Sequence, residues 1–411
     1  MSILRLLDFT LGIFVQSALK RRIRPRVLQL PITGRCNSRC ITCGVWKTRA
    51  PREDVDPEAL KSILQDPFFS SVHSVGVNGG EPSLHPAPGE LADSLLTLKR
   101  LKRIYVISNG VHTAKVLAMM ETLKAKCAAR GVRVHLTISV DGVGDVHNSV
   151  RGAPTFDKTA HTLREVQARQ SRYCDVLEAG VTLSARNVAR VAETSAFLDR
   201  LQVAAWYHPA VPNKRLHNFD DHSFDLLSSE RTAMLAAELF FARFKDKANG
   251  LKARLRAYLT FRYLLSGGRK RLAGCNYLRS DLTITENLDL YLCAVASERV
   301  GSLRSASPQE LLRSGAFARA EQALRERCAA CGHYIIFPTP GGALQFAAAL
   351  LKPAVWVSYL MAAARVRLQT AAQRLSPLQG FRQKSKTAPA QVPAPAQGQA
   401  SASTASTAWQ E

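Results

Sequence analysis

The sequence has far fewer acidic than basic residues. It contains 32 Asp and Glu and 56 Lys and Arg, which gives a formal net charge of +24. A basic excess of this size attracts nucleic acid or anionic membrane surfaces. Aromatic residues are also scarce, at 7%. None interrupts the basic runs 20–24, 99–103 and 269–271, whereas grooves for single-stranded nucleic acid interleave cations with aromatic rings. We therefore expect no nucleic-acid partner.

A secretory signal and a disulfide framework are absent as well. At the N-terminus the cations follow the apolar stretch instead of preceding it, which is the reverse of a signal peptide. The nine cysteines include groups at metal-ligand spacings, which is typical of a reducing compartment. No long apolar run is free of charge, because Lys352 interrupts residues 343–364. We expect a cytoplasmic protein, either free or bound peripherally at the inner face of the membrane.

Three cysteines, Cys36, Cys40 and Cys43, follow a short apolar segment with the spacing C-x3-C-x2-C. A structural zinc ion would require a fourth ligand nearby, and no further His or Cys occurs before His73. A cubane iron-sulfur cluster held by only three thiolates has one iron open to a small molecule. The spacing alone is compatible with a zinc knuckle, with buried structural cysteines or with such an open cluster.

A second motif, Gly79-Gly80-Glu81-Pro82, ends another apolar segment about 35 residues further along the chain. Adjacent glycines at the end of a strand let the backbone approach a ligand closely, and proline stops further strand pairing. An ordinary strand-to-helix turn would use the same residue types. The motif therefore predicts a binding loop only in combination with the cysteines.

Taken together, the two motifs resemble the radical S-adenosylmethionine (radical SAM) superfamily. The resemblance implies an α/β fold, a partial (β/α)6 TIM-like barrel, in which Cys36, Cys40 and Cys43 hold a 4Fe–4S cluster whose open iron binds SAM. It also implies that the backbone of Gly79, Gly80, Glu81 and Pro82 receives the SAM amino group. Further SAM contacts implied at the ends of later strands are Ser108, Asn109, Ser139, Asp141 and Arg151. Turn chemistry alone explains the Asn-Gly and Asp-Gly pairs about as well.

One position departs from that family pattern. The residue before the third cysteine is usually aromatic in the superfamily and packs on the adenine of SAM, but here it is Thr42. The apolar surface for adenine would then come from Trp46 or Ile41.

Four further cysteines, Cys275, Cys293, Cys328 and Cys331, form the spacing C-x17-C followed by C-x2-C. The segment 274–293, which holds the first two, is typical of a β-hairpin with its turn at residues 285–287. Four thiolates saturate either a structural zinc or a second 4Fe–4S cluster. Because they follow a barrel of this type, they resemble the SPASM and twitch auxiliary-cluster modules, with twitch the better match for a single cluster. A glycine is usual five residues before the second cysteine, where this chain has Leu288. Cys127 and Cys174 are interpreted as core or surface thiols.

The predicted organisation has six parts. An amphipathic N-terminal helix over residues 1–25 precedes the barrel at 26–215, a helical connector at 216–269 and the auxiliary module at 270–335. Apolar helices at 336–375 and a disordered tail at 376–411 complete the chain. The apolar stripe Ile3, Leu7, Leu11 and Phe14, followed by the basic run, favours contact with an anionic membrane surface. A helix that caps the barrel is the alternative.

The function expected from this resemblance is reductive cleavage of SAM to a 5′-deoxyadenosyl radical, followed by oxidation or rearrangement of a small polar or lipid-linked, sugar-like or cyclitol-like substrate. A flavodoxin or ferredoxin would supply electrons. The alternative is modification of a ribosomally made peptide, although such enzymes usually carry a peptide-binding domain before the barrel, and here about 26 residues precede it. A basic zinc protein that binds nucleic acid is a distant third. Candidates for a general base are Asp281, Glu286, His208 and Tyr207.

Overall fold

Six parallel strands run through the centre of the computed structural model, which describes residues 24–47, 53–333, 335, 337–351, 361 and 364. The strands are adjacent in chain order, as expected for successive β-α units. This confirms the predicted α/β class and the partial barrel, whose sheet is not closed. Their bounds are β1 Val27–Pro31, β2 Ser74–Asn78, β3 Arg103–Ser108, β4 Arg133–Ser139, β5 Val176–Leu183 and β6 Ala204–Pro209.

Helices join the strands and cover one face of the sheet. Buried and accessible residues alternate strictly along β3 and β4, so that Ile104 and Val106 face the helices while Ile107 is 45% exposed on the other face. The helices in this region are α1 Pro57–Leu64, α2 Pro88–Leu95, α3 Thr113–Ala128, α4 Asp145–Arg151, α5 Phe156–Ala168, α6 Gln170–Tyr173 and α7 Val191–Arg200. Cys127 on α3 and Cys174 after α6 are both fully buried, so they are core thiols.

Two helices, α8 Glu230–Lys245 and α9 Leu251–Leu265, lie within residues 216–269, for which the sequence predicts a helical connector. They pack against each other and against α12 Pro340–Leu351 through aromatic rings. The Tyr258 ring lies between Phe244, with centroids 5.2 Å apart, and Phe346, with centroids 5.7 Å apart. Each such ring buries a large apolar area.

The C-terminal cysteines lie around a hairpin formed by β8 Asp281–Ile284 and β9 Asp289–Tyr291, which confirms the predicted hairpin and its turn at residues 285–287. β8 pairs in parallel with β1, so the hairpin and β10 Arg299–Ser302 extend the barrel sheet to nine strands. A second small sheet pairs β7 Ala273–Gly274 with β11 Phe337–Pro338. Helices α10 Pro308–Arg313 and α11 Gly315–Arg327 lead to Cys328.

The predicted domain boundaries stay predictions, because all the named elements belong to one compact unit of the chain. The predicted N-terminal helix falls almost wholly on residues 1–23, outside the described part, as does the predicted tail. Of the predicted apolar helices, only residues 340–351 are seen as one continuous helix. Within the described ranges, no helix has both the length and the apolar composition that a membrane span requires.

Candidate iron-sulfur and cofactor site

The loop after β1 brings the first three cysteines together. Burial raises the pKa of the Cys36 thiol to about 12, and the charges of Cys40 and Cys43 add to the rise. The pKa of Cys43 is raised by burial and by Cys40. The charge of Cys40 raises the pKa of both other thiols, so the three cysteines are close in space. A metal centre normally stabilises such a set as thiolates.

Backbone N–H groups point at the cysteine sulfurs in both cysteine sets. The sulfur of Cys293 accepts from the Val295 amide at 3.2 Å, and that of Cys331 accepts from the His333 amide at 3.4 Å. The amides of Ser38 and Val45 donate in the same i+2 relationship to Cys36 and Cys43. Hydrogen bonds to sulfur stabilise the thiolate and tune iron-sulfur clusters. The donor chemistry therefore fits a cluster at each set.

The glycine motif packs directly against the cysteine loop. The Gly80 amide donates to the Thr33 carbonyl at 2.7 Å, and the Glu81 amide donates to the Arg35 carbonyl at 2.7 Å. A Cβ atom on Gly80 would lie 2.0 Å from the Arg35 oxygen, and Gly79 has φ +141°. Both glycines are therefore required for the two loops to meet, in addition to any contact with a ligand.

The Glu81 side chain is buried and joins the glycine motif to the end of β3. Its carboxylate accepts from the Ser108 hydroxyl at 2.7 Å and from the Asn109 amide at 2.7 Å. Burial raises the pKa of Glu81, while these bonds oppose the rise. The Asn109 side chain in turn donates to Asn37 and Ser38 in the cysteine loop. Because the Ser108 hydroxyl is bound to Glu81, its contact with SAM stays a prediction.

Asp141 and Arg151 form a second buried link to the cysteines. Arg151 pairs with the Asp141 carboxylate at 2.8 Å and donates to the Cys40 sulfur at 3.6 Å. The other Asp141 oxygen accepts from the Thr182 amide at 2.8 Å. Ser139 is half-buried at the end of β4. The structure thus gathers the predicted SAM-contact residues at the carboxyl ends of β2 to β4, where α/β barrels build their sites, but their contacts with SAM stay predictions.

Several residues of this site were missed by the sequence reasoning. Asn187 donates to the Asp141 carbonyl at 2.8 Å, His147 accepts from the Asp141 amide, and Asn218 donates to the Thr42 carbonyl at 2.6 Å. Arg35 holds Asp54 with two nitrogens and also donates to the Leu84 carbonyl. Among these residues, only Asn187 could have been predicted as a site residue from the sequence. It lies in a turn sequence four residues after the end of β5, where barrel sites are built.

The four C-terminal cysteines are also brought together. A hydrogen bond with Cys275 and burial raise the pKa of Cys328, and Cys331 and Cys293 contribute further. Burial raises the pKa of Cys293 to about 12, with Cys275 and Cys331 adding to it. Among the described residues, no three His, Cys, Asp or Glu side chains are arranged around a single metal ion. All seven cysteines therefore remain predicted cluster ligands.

Residues 213–218, here called the bridging loop, join the two cysteine sets. The Lys214 amide donates to the Val295 carbonyl beside Cys293, and the Leu216 carbonyl accepts from the Gly44 amide beside Cys43.

Leu288, which replaces the glycine usual in auxiliary modules, is buried and has φ +62°. The backbone there keeps the left-handed conformation that glycine favours, although the side chain differs.

The general-base candidates separate by position. Asp281 begins β8 and lies level with Val27 at the start of β1, so its predicted location near the cleft is wrong. Tyr207 bonds to Ser195 and faces the helices. His208 is exposed and contacts the Thr182 hydroxyl at 3.2 Å. Burial raises the pKa of Glu286, which follows β8.

Comparison with known proteins agrees with this geometry. Residues 30–183 match the family model of the Radical SAM superfamily. Mycofactocin maturase MftC of Mycobacterium tuberculosis (strain CDC 1551 / Oshkosh) is 25% identical over 228 residues, which cover 53% of this chain and 55% of the maturase. The mitochondrial GTP 3′,8-cyclase of Arabidopsis thaliana is 32% identical over 99 residues, 23% of this chain and 25% of the cyclase. The chain thus spans about half the length of the maturase that it matches.

Two solved structures share the fold. Native anSMEcpe with bound AdoMet and Kp18Cys peptide superposes with a TM-score of 0.55 at 16% identity, covering 76% of this chain and 88% of that one. Streptococcus suis SuiB bound to precursor peptide SuiA gives a TM-score of 0.52 at 14% identity, covering 82% and 76%. At this identity the likeness establishes the fold alone.

Residues 30–183 therefore match the radical SAM domain in sequence, and the fold around them is the one found in the two solved structures. The superfamily uses a 4Fe–4S cluster and SAM, and a SPASM-like auxiliary module is consistent with the relatives found here.

Proposed function

We propose that the protein cleaves SAM reductively and uses the resulting radical to modify a peptide. The observation that carries this proposal is the convergence of the cysteine loop, the glycine motif and the Asp141–Arg151 pair at one edge of the sheet. The choice of a peptide is supported by the maturase among the relatives and by the two peptide-bound structures that share the fold. These comparisons favour the peptide alternative over the sugar-like or lipid-linked substrate that the sequence first indicated.

In this proposal Cys36, Cys40 and Cys43 hold the SAM-binding cluster, which when reduced supplies the electron that splits SAM into methionine and a 5′-deoxyadenosyl radical. Arg151 is held by Asp141 and stabilises Cys40 as a thiolate. Glu81 fixes the glycine motif so that its backbone faces the amino group of SAM. These groups position the cofactor; the described residues supply no step beyond binding, orientation and exclusion of water.

The substrate would lie on the accessible face of the sheet, here called the open face, formed by Tyr105, Ile107, His135, Thr137, Ser139, Glu178, Thr182, Trp206 and His208. Strand pairing places Thr137 level with Glu178, and Thr182 level with His208, on this same face. Most of these side chains donate or accept hydrogen bonds, which an extended peptide backbone needs along its length. Trp206 adds an aromatic surface, over which Arg256 from α9 lies 4.0 Å from the ring centroid.

The four C-terminal cysteines would hold a cluster whose irons are all saturated, which suits electron transfer rather than substrate binding. The bridging loop supports this role, because Lys214 and Leu216 are two residues apart and contact the segments beside Cys293 and Cys43. An electron removed from the modified substrate would then leave through this side of the molecule, and the outcome would be a net two-electron oxidation.

The proposal is tested with anaerobically reconstituted protein, which should hold about eight iron per chain. With dithionite and SAM, it should release 5′-deoxyadenosine, and Cys40→Ala should release none. A pool of synthetic peptides with perdeuterated side chains should raise this release and transfer deuterium into 5′-deoxyadenosine. Stimulation by monosaccharides and aminocyclitols, with none by peptides, would instead favour the small-molecule function.

A matched pair of variants tests the open face. Trp206→Leu removes an aromatic ring from that face and should raise the KM for a stimulating peptide, while unstimulated SAM cleavage stays unchanged. Tyr207→Phe alters the adjacent residue, which faces the helices, and should change neither quantity. Equal effects of both variants would place the substrate elsewhere.

A further inference from the structure

The edge of the sheet opposite the cysteine loop is strongly basic. Eight exposed cations lie there, at the starts of β1, β3 and β4 or in the segments just before them. This set, here called the basic edge, consists of Arg24, Arg26, Lys99, Arg100, Lys102, Arg103, Arg130 and Arg133.

Strand pairing brings these residues together from distant parts of the sequence. Arg103 lies level with Arg133 on the neighbouring strand. The backbone of His73 bonds to Arg26 on one side and to Lys102 on the other, and Arg133 bonds to Lys102. In agreement, burial and the charges of Arg26, Arg103 and Lys102 lower the pKa of His73.

No acidic side chain forms an ion pair with the basic edge in the described part of the chain. None of the eight cations is in an ion pair, whereas Arg172 is paired with Glu121, and Lys126 with Asp93. Asp175, which precedes β5, feels the charge of Arg133, but its direct partners are Lys124 and the Val134 amide. Eight unpaired cations on one edge repel one another, and an external anionic surface would reduce that repulsion.

We propose that the basic edge rests on an anionic lipid surface, with the cofactor site facing away from it. A lipid surface is favoured over nucleic acid because base stacking needs exposed aromatic rings. The exposed large apolar side chains described within residues 24–351 are Ile107, Leu344 and Leu350, and none of them is aromatic.

The sequence that enters the basic edge supports the same partner. Residues 1–23 contain the apolar stripe of Ile3, Leu7, Leu11 and Phe14, followed by Lys20, Arg21 and Arg22. Only Ile23 separates these three cations from Arg24 in the sequence. An apolar stripe followed by cations is the pattern of interfacial membrane segments, and the folded basic edge adds charge to it.

The test compares the full chain with the triple variant Lys99→Gln, Arg100→Gln, Arg130→Gln in flotation with phosphatidylcholine vesicles containing or lacking phosphatidylserine. At low salt the wild-type chain should bind only the anionic vesicles. The variant should bind them at least about tenfold more weakly, because each cation near the surface contributes to binding. The variant should keep the iron content and SAM cleavage of the wild type. A failure of the membrane proposal can therefore be distinguished from a failure of the proposed enzyme activity.

A control variant, Lys115→Gln, Lys158→Gln, Arg186→Gln, removes three exposed cations near the other edge and should bind vesicles as the wild type does. If both variants lose affinity equally, net charge rather than the basic edge determines binding, and the proposal is wrong. It is also wrong if the triple variant binds like the wild type, or if the wild type binds a fluorescent single-stranded RNA but no anionic vesicle.

Discussion

The Arg151 guanidinium lies 2.8 Å from the Asp141 carboxylate, in a pair whose side chains are only 11% and 2% exposed. The same guanidinium contacts the Cys40 sulfur. The pair therefore joins the end of β4 to the cysteine loop. Removing one partner of a buried pair leaves the other charge without compensation, which costs more than the pair itself contributes.

Asp141→Asn should lower the free energy of unfolding by about 3 kcal/mol and reduce the iron retained after desalting. Anaerobic denaturant titration and iron analysis measure these changes. Glu121→Gln, which breaks the exposed pair with Arg172, should cost less than about 1 kcal/mol. Equal costs for the two variants would show that Asp141 has no special link to the cluster site.

Gly80→Ala should prevent assembly of the first cluster. The added Cβ would lie 2.0 Å from the Arg35 oxygen, so either the glycine motif or the cysteine loop must move. We expect loss of about half the iron, with the auxiliary cluster retained. At Gly89 a Cβ would make only ordinary contacts of 3.6 Å or more. Gly89→Ala should therefore keep all the iron and stabilise the protein by up to about 1 kcal/mol.

The partial (β/α)6 barrel was predicted from the resemblance that the cysteine loop and the glycine motif carry. The cysteine hairpin was predicted from its turn residues. Its attachment to β1 was not, since a hairpin carries no local signal for the neighbour with which it pairs. The same limit explains the misplacement of Asp281: closeness in sequence to Cys275 says nothing about which edge of the sheet it occupies.

The candidate site was predicted by motif rather than by contact. The motif predicted a ligand contact for the backbone of Glu81, and it carried no signal that the carboxylate accepts from Ser108 and Asn109. Asn218 reaches Thr42 across 176 positions, a contact that no local pattern can reveal. Leu288 stands where the family usually has glycine, yet its backbone has the left-handed conformation that glycine favours. The turn between β8 and β9 sets this conformation whichever side chain is present.

Arg271 should be required for the auxiliary cluster. It donates to the carbonyls of Ala273 and Gly274 at one arm of the cysteine site, and to those of Cys331 and His333 at the other. A planar guanidinium with five donors can bind both arms, which an ammonium group cannot do in the same geometry.

Arg271→Lys should therefore lose about half the iron and keep SAM cleavage. Iron analysis and the electron paramagnetic resonance spectrum of the reduced protein check this outcome. Arg269→Lys, which changes an exposed arginine with a single carbonyl contact at Ser266, should retain both clusters. A full iron content in Arg271→Lys would show that the hairpin and α11 alone hold the cysteines in place.

The stability of the protein should fall below about pH 6.5 in a way that depends on His147. This side chain is fully buried and accepts from the Asp141 amide, and burial together with Arg151 lowers its pKa from 6.5 to about 3. Below pH 6.5 the unfolded chain binds a proton at this position that the folded chain does not bind. Stability is therefore lost as the pH falls from 6.5 toward 3, and is unaffected above pH 6.5.

Between pH 7 and pH 5.5 this one group should remove about 1 kcal/mol from the free energy of unfolding. His147→Asn keeps an acceptor for the Asp141 amide but has no titrating group. At pH 7 the variant should have a lower free energy of unfolding than the wild type. At pH 5.5 the difference between the two free energies should be smaller by about 1 kcal/mol. Denaturant titrations of both proteins at the two pH values measure the change, and a constant gap would mean that His147 binds its proton equally well in the folded and unfolded chains.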